Sequence, residues 1–90
     1  MAKLTKFQKR MINLGKVKSP TQWKKIGVNR YSFENGDVEI FKVEKGKHAG
    51  TYGVQMLFPQ FHKLLTQNGF NSKSNALYFT KGYLTRFPRG

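Results

Sequence analysis

The sequence predicts one small α+β domain with a large excess of positive charge. Three observations carry this expectation. Apolar residues recur at helical spacing near the start of the chain. Two runs of alternating, strand-favouring residues flank Asn35-Gly36, and a third follows over 51–58. Ninety residues with 38% hydrophobic content, including eight Phe, four Tyr and one Trp, supply apolar area for one modest core. A disordered chain would be poorer in aromatics. The expected order is two N-terminal helices, an antiparallel β-hairpin with a third strand, one further helix, and one or two C-terminal strands. The whole chain, 1–90, reads as a single domain, with mobile ends at the first few residues and at 86–90.

The first helix is expected over 3–14. Leu4, Phe7, Met11 and Leu14 fall on one face, Ile12 broadens the stripe, and Gly15 can end the helix in a left-handed cap. Lys3, Lys6, Lys9 and Arg10 fall mostly elsewhere. A second, short helix is expected from Ser19 to about Gly27, because Ser19 can cap, Pro20 suits the first position, and Gln22 stands three residues after Ser19.

Val28–Phe33 and Val38–Glu44 are expected to pair across Asn35-Gly36, a dipeptide that accepts positive φ in a tight hairpin turn. Lys45-Gly46-Lys47-His48-Ala49-Gly50 is then a basic, glycine-bearing loop. Thr51–Phe58 alternates as a third strand. Residues 60–68, with Phe61, Leu64 and Leu65, carry helical spacing after Pro59, and Asn68-Gly69 can end that helix. Ala76–Thr80 reads as a strand, continued by or turned at Lys81-Gly82 into Tyr83–Phe87.

Charge is the dominant fact. There are 17 Lys and Arg against 4 Asp and Glu, a net charge of +13 and a pI near 10.4. Glu34, Asp37, Glu39 and Glu44 are all confined to 34–44, while 1–33 and 45–90 hold no acid. Such a distribution predicts an acidic pole and a broad basic remainder that suits a polyanion. Duplex DNA, held through its backbone phosphates with low sequence specificity, is the first expectation. An acidic protein surface, docked in the manner of a host-directed inhibitor, is the second. An RNA-binding module with stacked tyrosines is the third. Small, cysteine-free, strongly basic single domains resemble bacteriophage early proteins in composition.

The candidate phosphate contacts are Lys3, Lys6, Lys9, Arg10, Lys24, Lys25, Arg30, Lys45, Lys47, Lys73, Lys81, Arg86 and Arg89. Trp23, Tyr31, Tyr78 and Tyr83 are the candidate base stackers. For each, the competing reading is structural: a lysine can serve a solvated helix face, and an aromatic can serve the core.

Catalysis is not expected. The sequence has no cysteine, two histidines and four acids, a poor stock for metal ligands, thiolate chemistry or acid–base pairs. A nuclease triplet of the acid-x-Lys kind is missed by one residue at both Glu39 with Lys42 and Glu44 with Lys47. No phosphate-loop lysine signature occurs. No cofactor is expected. No apolar run approaches the ~20 residues of a membrane span, and the N-terminus lacks the apolar core of a signal peptide. The expected location is the cytoplasm, on the nucleoid if the target is DNA.

Overall fold

The computed structural model describes residues 3–90. The chain runs α1 (Lys6–Val17), β1 (Lys24–Gly27), β2 (Arg30–Phe33), β3 (Gly36–Lys42), β4 (Tyr52–Phe58), a 3-10 turn (Pro59–Phe61), β5 (Lys63–Phe70) and α2 (Lys73–Arg86). The five strands form one antiparallel meander in the order β1-β2-β3-β4-β5. The α+β class is as the sequence predicts. The distribution of helices and strands is not.

Alternation sets the inner face of the sheet. Val38 and Ile40 of β3 and Val54, Met56 and Phe58 of β4 are buried, with Phe33 and Phe70 from the flanking strands. Asp37, Glu39 and Leu57 point the other way and are exposed. α2 lies on β3, β4 and β5, and α1 packs chiefly on α2. The core therefore fills the space between sheet and α2, with Phe70 and Phe79 in ring contact at 4.9 Å.

α1 begins at Thr5, whose hydroxyl accepts the Gln8 N–H while the Gln8 side-chain oxygen accepts the Thr5 N–H, both at 3.0 Å. This reciprocal cap satisfies two free helix donors. Gly15 is not a terminator, because the helix continues to Val17 and is capped by Lys18. Gly15 instead makes room for α2. A Cβ there would collide with the Tyr78 carbonyl oxygen, and one at Gly82 would collide with the Met11 carbonyl oxygen.

The expected second helix is a turn followed by an edge strand. Pro20 is buried, Gln22 takes φ +60°, and Lys24 and Lys25 pair with Ser32 and Tyr31. A left-handed residue at Gln22 ends the helical path that Ser19 and Pro20 would otherwise begin. The β2–β3 hairpin is present, but its central residues are Glu34 and Asn35, neither with positive φ. Gly36 already belongs to β3, where the β4 backbone at Leu57 leaves no space for a Cβ.

The expected helix over 60–68 is replaced by the 3-10 turn and β5. His62 takes φ +51° and reverses the chain, and Leu65 then pairs with Met56 on the buried face. Sheet pairing overrides the i, i+3, i+4 spacing of Phe61, Leu64 and Leu65. The C-terminal strand or strands are replaced by α2, capped where the Ser72 hydroxyl accepts the Asn75 N–H at 3.1 Å. Ala76, Thr80 and Leu84 are buried at four-residue intervals with Phe79 beside them, while Gly82 is buried on another side against α1. A helix buried on two sides shows no single apolar stripe. Beyond α2, Phe87 packs on the core and the Pro88 carbonyl accepts the Asn35 side-chain N–H at 2.7 Å. Met1 and Ala2, within the N-terminal stretch expected to be mobile, lie outside the described residues.

Candidate nucleic-acid interface

α1 turns Gln8, Met11, Ile12 and Gly15 inward, and this leaves Lys6, Lys9, Arg10, Asn13 and Lys16 exposed. α2 exposes Lys73 at its start and Arg86 at its end. Neither helix contains an acid. The helical layer is thus a cationic surface with no carboxylate of its own.

The acids sit elsewhere. Asp37 and Glu39 project from the open face of the sheet, Glu34 lies in the β2–β3 turn, and Glu44 is in the β3–β4 loop. Arg30 stands directly across from Glu39 in the register, on that open face. Lys24 pairs with Ser32 on the same side, whereas Lys25 pairs with Tyr31 on the helix side. Both lysines lie on the edge strand β1, where exposed charge also discourages pairing with another chain. The structure therefore brings Lys6, Lys9 and Arg10 together on one helix and sets Arg30 and Lys24 apart from them.

Three of the candidate cations rest on aromatic rings. Lys81 lies over Trp23, Arg86 over Phe87 and Arg89 over Phe61, each 5.8 Å from the ring centroid. Trp23 and Tyr31 stack on each other at 4.9 Å and 11°. Tyr83 sits among Phe7, Phe79 and Phe87, and burial pushes its hydroxyl pKa up from the ordinary tyrosine value. Tyr78 is half-buried against the core. These rings are already in contact with protein groups on at least one side.

A cleft of about 880 Å³ opens between the start of α1, the β3–β4 loop and the end of β5. It joins Lys3 and Lys47, which the sequence nominates, to Thr5, Gln8, His48 and the 66–69 stretch of β5, which it does not. Among the described residues, no Asp or Glu lines it. Gln8 fixes the far wall by donating to the Gln67 side-chain oxygen at 3.4 Å and to the Asn68 carbonyl at 3.3 Å. The Thr5-x-x-Gln8 spacing fits a capping box and is the signal that would have found two of these residues. The β5 residues gave none, since their spacing mimics a helix.

Among the described residues, no three His, Asp or Glu side chains gather so as to hold a metal ion, and no helix is long and apolar enough to cross a membrane. The fold and surface define a small two-helix, five-strand α+β domain with a cationic helical layer. No protein-family model, no curated protein and no solved structure matches the chain.

Proposed function

We propose that this protein binds nucleic acid without catalysing a reaction on it, and that duplex DNA is its principal ligand, held through backbone phosphates. The observation that carries the reading is the acid-free helical layer. Exposed Lys6, Lys9, Arg10 and Lys16 on α1, with Lys73 on α2, lie on elements that contain no carboxylate. Cations that have no local partner are available to neutralise phosphates and release counterions. The open sheet face, with Asp37 and Glu39, turns away from the ligand because carboxylates repel phosphate.

The test is a gel shift of a random-sequence duplex at low salt, run with two variants. Lys6→Ala/Lys9→Ala/Arg10→Ala should weaken binding strongly while the circular dichroism spectrum stays unchanged. Glu39→Gln on the opposite face should leave binding equal or slightly tighter. Absence of a shift for the unaltered protein would reject the reading and turn the search to an acidic protein partner.

A further inference from the structure

The cleft between α1, the β3–β4 loop and β5 differs from the helical layer in shape and in chemistry. It is concave, and several of its uncommitted polar groups are donors. The Gln67 side-chain oxygen already accepts from Gln8, which leaves the Gln67 NH₂ group free. The Asn68 side-chain oxygen is buried without a hydrogen-bond partner, close against Gly53. The Thr5 hydroxyl accepts from the Gln8 N–H and keeps its own proton to donate. Lys3 and Lys47 add two ammonium groups, and both are exposed. At Gly50 a Cβ would meet nothing within 4 Å, so there is space beside the loop, although the Gly50 N–H is already donated to the Val43 carbonyl.

Two uncommitted donors beside two cations, with no carboxylate among the described lining residues, suit a ligand rich in acceptors. Phosphate is such a group. An internal phosphodiester carries one negative charge, whereas a terminal phosphomonoester carries about −1.5 to −2 at pH 7. Two lysines balance the second better than the first. A concave site also admits a strand end more readily than a continuous backbone. We propose that this cleft is a receptor for the terminal phosphate of a nucleotide, and that it gives the protein a preference for phosphorylated strand ends. The source of the ligand rests on the nucleic-acid reading above, but the donor chemistry of the cleft does not.

Fluorescence anisotropy should compare a blunt duplex bearing 5′-phosphates with the same duplex bearing 5′-hydroxyls. The phosphorylated duplex should bind about tenfold tighter, the equivalent of one charge-assisted hydrogen bond. Gln67→Leu should abolish that ratio and leave binding of the 5′-hydroxyl duplex unchanged. Lys47→Met should shrink the ratio as well. Equal binding of the two duplexes by the unaltered protein overturns the inference and leaves the general reading standing. If neither duplex binds, titration of ¹⁵N-labelled protein with adenosine 5′-monophosphate and with adenosine decides the matter. Shifts of the 47–51 and 66–69 amides with the monophosphate alone support the cleft as a free-nucleotide site. No shift, or the same shift with both, overturns it.

Discussion

Gly15→Ala should destabilise the protein, although alanine is the better helix former. In an exposed helix interior this change is worth about 1 kcal/mol of stabilisation. Here the new Cβ would fall inside contact distance of the Tyr78 carbonyl oxygen and lie 2.9 Å from the Gly82 nitrogen. Both are backbone atoms, so no rotamer change can relieve the collision, and α1 must move off α2. Overpacking of a tight core costs about 1–3 kcal/mol, and a backbone collision belongs at the upper end. Subtracting the propensity gain leaves a net loss of about 2 kcal/mol. For a domain of this size that corresponds to a fall in Tm of roughly 8–16 °C. Thermal and urea unfolding followed by circular dichroism would measure it. Gly82→Ala should behave alike, because its Cβ would strike the Met11 carbonyl oxygen of the same crossing. The double variant should lose less than the two losses added, since helices parted by the first change have room for the second. A Gly15→Ala protein as stable as the original, or more so, would refute the close crossing and with it the placement of α1 on α2.

Other consequences are equally direct. Gly36→Ala should cost at least ~1 kcal/mol in urea unfolding through collision with the β4 backbone at Leu57, whatever φ alanine accepts; unaltered stability would place β3 differently against β4. Phe79→Ala should cost about 3–5 kcal/mol, because the ring is fully buried and touches Phe70, Phe7 and Tyr83; a loss under ~1 kcal/mol would remove α2 from the core. One tyrosine should ionise late in an alkaline ultraviolet titration, and Tyr83→Phe should remove that phase. Its neutral form is favoured in the folded state, so this contribution to stability is present below the unfolded tyrosine pKa of about 10 and is lost as pH rises through the folded value.

The parts of the fold legible in the sequence are those buried on one side only. α1 shows a stripe because only one face of it is covered, although that face carries Gln8, Met11, Ile12 and Gly15 and leaves Phe7 40% exposed, and β3 alternates because one face of the sheet is open. α2 escapes this logic. The run Ala76-Leu77-Tyr78-Phe79 looks like a strand because α1 and the sheet take apolar groups from different sides of the same helix. β5 is not legible although only one of its faces is covered. Leu64 is 55% exposed on the open face beside the buried face that takes Leu65, so two adjacent leucines imitate a helical pair. Glycine was misleading in the same way: Gly15, Gly36 and Gly82 serve close backbone approach, which no local pattern records. For the site, the charged residues were visible as composition. The cleft was not, because its donor wall is assembled from α1, the β3–β4 loop and β5, segments some sixty positions apart, such as Gln8 and Gln67.

The central claim is that phosphates are bound by the cations of the helical layer, and the salt dependence of duplex binding tests it most directly. If about five phosphates are neutralised, log K should fall with log salt at a slope near −4 to −5, each contact adding about −0.9. Replacing Lys6, Lys9 and Arg10 by alanine should flatten the slope by nearly three units, while Arg30→Ala, opposite Glu39 on the open face, should change it little. A duplex affinity indifferent to salt, or a slope that Arg30→Ala alters as much as the α1 variant does, would contradict the account.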